Sequence, residues 1–118
     1  NPRGAVFLLE WDSFRMVIPS GVADSTFQDL EWGEKIGDVD ILLLADHGYA
    51  PSNPVEWIQN LNPRILLLGV SADNPDGLPD RELIDRIAGY SLLRTDQHGW
   101  VHVKTDGQSM WVNVEELE

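Results

Sequence analysis

The sequence predicts a small α/β fold, in which a mixed sheet has a hairpin at each end and three short helices on one face. Three observations predict it. Apolar runs at residues 41–44 and 65–68 are too short for amphipathic helices and are typical of buried parallel strands. Helix-like segments separate these runs, as in strand–helix–strand units with right-handed crossovers. Alternating apolar segments at both ends of the chain predict antiparallel hairpins.

The first hairpin is expected in residues 5–18, around an Asp12-Ser13 turn. Both of its faces are apolar at the inner end, so we expect other parts of the protein to cover both. Pro19-Ser20-Gly21 is expected to end its second strand. With a two-residue loop, the facing pairs are Trp11–Phe14, Leu9–Met16, Phe7–Ile18, Leu8–Val17 and Glu10–Arg15.

Two helices are expected before residue 65. The first begins at Asp24 or Ser25, since Ser25 and Gln28 have the spacing of a capping box. The second is capped by Asn53, with Pro54 at its first position. Glu56 completes the capping box, and Asn62-Pro63 ends the helix. Its inward residues are expected to be Val55, Ile58 and Leu61.

The third helix is expected to begin at Pro79 or Asp80 and to end at Gly89. A short strand at residues 91–94 follows it, and His98 is expected in an exposed turn. The inward residues of this helix are expected to be Leu83, Ile84 and Ile87.

The closing hairpin is expected in residues 100–105 and 109–114, around the turn Asp106-Gly107. In that register Val103 faces Met110, and Val101 faces Val112. The other face places His102 opposite Trp111, with Trp100 diagonal to it. An apolar patch of this kind is unusual on a monomer, so Trp100, His102 and Trp111 are predicted to form an interface.

Composition limits the function. A chain of 118 residues predicts one domain, spanning residues 1–118. Its formal charge of −12 argues against direct nucleic-acid binding, which relies on Lys and Arg. The absence of cysteine excludes disulfides and thiolate metal sites. No apolar run approaches the roughly 20 residues that span a bilayer. Asn1 is not a natural start residue, and we expect the chain to be processed or excised from a longer one.

Asp46 and His47 are the candidate site residues, because they follow the carboxyl end of a buried strand, where ligands bind in open α/β sheets. Both residue types bind metals. Alternatively, Asp46 braces the following turn and His47 contacts a backbone carbonyl. A third interpretation makes Asp46 the phosphoacceptor of a receiver-like domain, but the terminal hairpins do not suit a doubly wound sheet. Residues 73–77 do not fit the spacing of an EF-hand calcium loop.

Four motifs occur in a familiar order. They are Ala45-Asp46-His47-Gly48-Tyr49, Gly77-Leu78-Pro79, Arg94-Thr95-Asp96-Gln97-His98-Gly99 and Thr105-Asp106-Gly107. With the strands between them, they resemble the C-terminal half of the metallo-β-lactamase-fold domain of ComEC-type competence proteins, which import DNA. The resemblance runs from the first hairpin to Val114. It implies half of a four-layer α/β/β/α sandwich, in a soluble extracytoplasmic domain of a membrane-anchored bacterial protein.

The metal motifs of that family are largely replaced here. Asp46 stands at one histidine of its Pro-His-His-Gly-Ser pattern, Val22 at the aspartate of its Thr-Gly-Asp pattern and Leu78 at the histidine of its Gly-His-Pro pattern. The HxHxDH signature does not occur in this chain. The resemblance therefore implies a non-catalytic, structural or scaffolding module that needs no cofactor of its own.

The alternative is part of a metal-dependent hydrolase or nuclease, in which Asp46 and His47 bind Zn or Mn with ligands from upstream. The resemblance also implies a partner for the Trp100–Trp111 face. That partner is either the missing N-terminal half of the same domain or a second copy of this chain.

Overall fold

The structure is a computed structural model that describes residues 5–20 and 35–116. It shows a small α/β protein with a mixed five-stranded sheet, a separate hairpin and, in the described residues, three short α-helices. The strands are β1 (Ala5–Trp11), β2 (Phe14–Ser20), β3 (Ile41–Leu43), β4 (Ile65–Leu68), β5 (Leu92–Arg94), β6 (Val101–Thr105) and β7 (Met110–Val114). The helices are α1 (Val55–Leu61), α2 (Arg81–Arg86) and α3 (Thr95–His98).

The five-stranded sheet has the order β1-β2-β3-β4-β5. β1 and β2 are antiparallel, in the register predicted for the first hairpin, and β2 to β5 are parallel. The expected break at Pro19 is wrong, because β2 continues to Ser20 and Pro19 pairs with Val6. β3 pairs with β2 only at Met16 and Val17, so Pro19 lies beyond the parallel ladder, where a missing N–H is tolerated.

Two of the described helices, α1 and α3, differ from the prediction. The helix expected at residues 24–30 lies outside the described residues. α1 has Pro54 as its N-cap residue and buries Trp57, Ile58 and Leu61, whereas Val55 is only half-buried. α3 was not predicted, and it places His98 in a partly buried helix rather than in an exposed turn. No helix in the described ranges combines the length and apolar composition needed to cross a bilayer.

One face of the sheet packs against helices. Residues at paired positions share a face, and alternate positions point to opposite faces. Leu8, Val17, Leu42, Leu66 and Leu92 therefore share this helix-facing side. They belong to or pack against one apolar cluster, which also contains Trp57, Ile58 and Leu61 from α1, Leu83 from α2 and the adjacent Ile87.

The opposite face of the sheet is also apolar. Ile41 at its centre is fully buried, although it lies outside the helix-packed cluster. Its neighbours become more exposed towards β1, where Phe7, Leu9 and Trp11 are each more than half exposed. The remaining members are half-buried, namely Phe14, Met16, Ile18, Leu43, Ile65, Leu67 and Leu93.

The closing hairpin forms a sheet of its own, so its expected place in the mixed sheet is wrong. The predicted register is also wrong by two residues, because Val103 pairs with Val112 and His102 with Asn113. The reason is a longer loop. The Asp106 carboxylate accepts hydrogen bonds from the amides of Gln108 (2.9 Å) and Ser109 (2.7 Å), and it thereby organises residues 106–109. A shift of two residues keeps each side chain on its expected face.

These hydrogen bonds give Asp106 a pH dependence. The Ser109 amide and then the Gln108 amide lower the pKa of the Asp106 carboxyl below its ordinary value of 3.8. A carboxyl whose pKa is lower in the folded state stabilises the fold above its unfolded pKa and loses that contribution as the pH falls through the folded pKa. NMR titration should therefore give Asp106 a midpoint below 3.8. A midpoint at or above that value would contradict the loop geometry.

The two hairpins meet at their turns. The Ser13 amide donates to the Gly107 carbonyl at 2.7 Å, and Gln108 Nε2 donates to Asp12 Oδ2 at 2.6 Å. Gly107 has a φ of +94°, and a Cβ there would lie 2.8 Å from Asp12 Cβ. Only glycine fits this close approach, which fixes the closing hairpin against the first turn.

Candidate functional site

The candidate site lies where β3, β4 and β5 end at the same edge of the sheet. Three segments leave the strands there, at residues 45–53, 69–80 and 94–98. Hydrogen bonds join each segment to the next. His47 Nδ1 lies 2.8 Å from the Gly69 carbonyl oxygen, and the Val70 amide donates to Thr95 Oγ1 at 2.8 Å. We call these three segments the carboxyl-end loops.

Asp46 and His47 both have left-handed backbone conformations, with φ of 48° and 55°. Their side chains are exposed, yet both have contacts within the chain. Ser52 Oγ donates to Asp46 Oδ2 at 2.5 Å, and His47 Nδ1 faces the Gly69 carbonyl. Since a carbonyl can only accept, Nδ1 is the donor, which leaves the lone pair of the neutral ring on Nε2.

Asn53 organises the first of the carboxyl-end loops. Its side chain is 3% exposed, and its Oδ1 accepts from the Ala45 amide at 2.7 Å. Its Nδ2 donates to the carbonyls of Ala45 (2.9 Å) and Tyr49 (2.8 Å). The prediction that Asn53 caps α1 is therefore wrong, because the helix has no side-chain cap and this amide instead closes the loop on itself.

The first loop also sits tightly on the second. Gly48 is buried with a φ of +90°, and a Cβ there would lie 2.4 Å from Pro79 Cβ. The Asp80 amide donates to the Gly48 carbonyl at 3.0 Å, while Asp80 Oδ2 accepts from the Ala50 amide at 2.7 Å. Asp80 thus joins the start of α2 to the loop that carries Asp46 and His47.

The third of these loops is held by its own polar contacts. Thr95 Oγ1 accepts from the Val70 amide and donates to the Val70 carbonyl at 2.9 Å. Arg94 makes a two-bond ion pair with Asp96, at 3.0 and 2.7 Å, and both side chains are largely buried. His98 Nδ1 lies 3.1 Å from both the amide nitrogen and the carbonyl oxygen of Arg94, and the tautomer of the ring decides which of the two it binds.

Among residues 5–20 and 35–116, a set of metal ligands does not assemble around Asp46 and His47. Within the described residues, no group of three or more His, Asp and Glu side chains is placed to hold an ion. Leu78, where the resembling family has a histidine, is partly buried and packs against the helix-facing cluster. Val22, the other replaced position, lies outside the described residues. Metal binding by Asp46 and His47 therefore stays a prediction.

The predicted interface residues lie on the outer face of the closing hairpin. Trp100 is 55% exposed and Trp111 is 48% exposed, and His102 is exposed on the same face. The expected His102–Trp111 pair is wrong, because the register places Lys104 opposite Trp111. The same register places the two tryptophans at opposite ends of the hairpin, so they do not form one compact platform.

Sequence reasoning placed Asp46 and His47 correctly at the end of a buried strand, but it missed Asn53, Gly48 and Asp80 as the residues that hold the loops. A glycine in a sequence indicates only weakly that its backbone has a positive φ, as Gly48 does here.

Comparison with protein-family models gives no match, and comparison with curated protein sequences gives none either.

Proposed function

We propose that this chain is a non-catalytic module resembling one half of a metallo-β-lactamase sandwich, with a structural role in a competence-type DNA-uptake protein. The main support is the hydrogen bonding of the polar groups in the carboxyl-end loops. Their polar groups, which would carry chemistry in an active site, bind to the chain's own backbone and side chains. Such self-satisfied polar networks stabilise a structure.

The two faces of the sheet also support this architecture. In an α/β/β/α sandwich, helices cover one face of each sheet and the other sheet covers the second face. The helix-facing side packs against the helices around Val17, Leu42 and Leu66, and the opposite side is apolar with its exposure rising towards β1. An apolar surface of this form is suited to cover by further protein.

The replaced motif positions argue against catalysis. Leu78 packs its aliphatic side chain into the cluster, so this position offers no ligand. The Asp46 carboxylate accepts a hydrogen bond from the 1%-exposed Ser52. With a formal charge of −12, the chain would also repel phosphate, so contacts with DNA belong to other parts of an uptake protein.

A genetic experiment tests the proposal in the bacterium that encodes this chain. In-frame deletion of the segment from its gene is expected to abolish uptake of labelled duplex DNA, because the remaining protein loses a packing partner. His47→Ala is expected to keep wild-type uptake, with immunoblots showing equal amounts of each protein. Normal uptake after the deletion would contradict the role in uptake. Loss of uptake in His47→Ala at normal protein level would contradict a non-catalytic role.

One observation favours the hydrolase alternative. A metal-bound histidine commonly donates its second ring N–H to a backbone carbonyl, as His47 does to Gly69. In that case His47 Nε2 and Asp46 would hold Zn or Mn, and the metal would activate a water molecule for hydrolysis. The remaining ligands would come from outside this chain.

A further inference from the structure

β1 is the outer strand of the five-stranded sheet, and in the described part of the chain only β2 pairs with it. It is seven residues long and contains neither proline nor glycine. An unpaired edge of this kind presents backbone N–H and C=O groups that a further strand can bind. Proteins commonly protect such edges with charges, prolines or bulges. The only charged residue in β1 is Glu10.

The side chains of β1 leave a contiguous apolar surface at this edge. Phe7, Leu9 and Trp11 point to the same face and are 55%, 51% and 58% exposed. We call these three residues the β1 patch. Single exposed apolar residues are common, but an apolar row beside a free strand edge is typical of an interaction site.

The charge at this edge allows a second copy of the chain to approach. The whole chain carries a formal charge of −12, but Glu10 forms an ion pair with Arg15 at 3.1 Å. The β1 patch itself carries no charge. Two copies can therefore meet along β1 with each Glu10 already paired to a cation of its own chain, although the rest of the acidic surface opposes association at low salt.

The sequence of β1 is also self-complementary. When two copies pair antiparallel about Leu9, each Leu9 lies opposite the other Leu9, and Phe7 lies opposite Trp11 of the second copy. On the helix-facing side Glu10 lies opposite Leu8, so the two glutamates are diagonal neighbours, and each keeps its ion pair with Arg15. Every exposed member of the β1 patch thus finds an apolar partner. Aromatic and aliphatic pairs of this kind stabilise neighbouring strands.

We propose that two copies of this chain associate through the β1 edge that the described strands leave unpaired, antiparallel about a twofold axis at Leu9, to form one continuous sheet. This inference is independent of the proposed function. Pairing of two strand edges leaves the exposed face of the sheet open to water, so the β1 patch buries at most roughly 300 Å² per copy. Interfaces below about 1,200 Å² in total are weak, so the dimer is reversible and depends on concentration.

Sedimentation equilibrium of the complete chain, over a range of concentrations, tests the proposal. The wild-type chain is expected to shift from monomer to dimer. Leu9→Lys should weaken the dimer at least about tenfold, because it places two lysines opposite each other in place of an apolar pair. Trp111→Lys, the matched control on the exposed face of β7, should leave the dimer unchanged. Circular dichroism verifies that each variant folds.

A charge-swap mixture tests the twofold geometry. Leu9→Lys and Leu9→Glu are each expected to be monomeric, and an equimolar mixture should restore the dimer. Hydrogen exchange of the wild type gives a second measurement that needs no variant. Trp11 and Phe14 close a two-residue loop, so the Leu8 and Glu10 amides point away from β2 and should exchange more slowly as the concentration rises.

Several results would overturn the proposal. A wild-type chain that stays monomeric at every concentration would show that a second copy does not bind the β1 edge. A dimer that survives Leu9→Lys but is lost in Trp111→Lys would assign the interface to the closing hairpin. Antiparallel pairing about Leu9 would be ruled out if the mixture of the two Leu9 variants stayed monomeric. It would also be ruled out if the exchange rates of the Leu8 and Glu10 amides did not change with protein concentration.

Discussion

Asn53→Ala is expected to lower the free energy of unfolding by about 3 kcal/mol, because the variant removes three hydrogen bonds at a buried position and leaves their partners unsatisfied. The Ala45 amide and carbonyl lie at the buried start of this loop, just after β3. Water cannot easily replace Asn53 there, since the residue is only 3% exposed.

Asn113→Ala is the matched control for this variant. Asn113 is exposed on β7, so the same chemical deletion should change the stability by less than about 0.5 kcal/mol. Urea denaturation followed by circular dichroism measures both variants. If Asn53→Ala were no less stable than Asn113→Ala, Asn53 would not be the residue that organises the first of the carboxyl-end loops.

Gly48→Ala is expected to lower the stability by a similar amount, for a different reason. Its φ of +90° is unfavourable for alanine, which alone costs about 1–2 kcal/mol. The new Cβ would also lie 2.4 Å from Pro79 Cβ and 2.9 Å from Pro79 Cα. The two loops would have to separate, which weakens the hydrogen bonds that Asp80 makes to Gly48 and Ala50.

Gly77→Ala separates these two causes. Gly77 also has a positive φ, of +68°, but a Cβ there meets no atom within 4 Å. The control should therefore show the backbone strain alone, about 1 kcal/mol, and Gly48→Ala should exceed it clearly. Equal losses in thermal unfolding of the two variants would mean that the contact with Pro79 does not hold the loops together.

Most of the sheet could be predicted because its signals are local. The turn at Asp12-Ser13 sets the register of the first hairpin, and the short apolar runs predict the buried parallel strands β3 and β4. The predicted register of the closing hairpin was wrong because the Asp106 side chain stabilises a loop longer than the two-residue turn Asp106-Gly107. The local sequence does not show which of the two turns is more stable.

The sequence predicted where the candidate site lies but not which contacts hold it. Asp46 and His47 follow a strand that the sequence identifies, but their partners Ser52 and Gly69 depend on how the loops fold back. Asn53 was predicted to cap a helix because asparagine side chains bind backbone groups both at helix N-termini and across loops. Its contact with Ala45 across the loop is a tertiary feature, and the capping-box spacing to Glu56 gave a plausible local alternative.

We propose that the carboxyl-end loops are a structural centre and do not hold a catalytic metal. Metal analysis of the protein as its gene encodes it, purified without chelators, tests this most directly. We expect the zinc and manganese content of the wild type and of His47→Ala to be the same. One equivalent of zinc or manganese per protein in the wild type, lost in a folded His47→Ala variant, would contradict the claim.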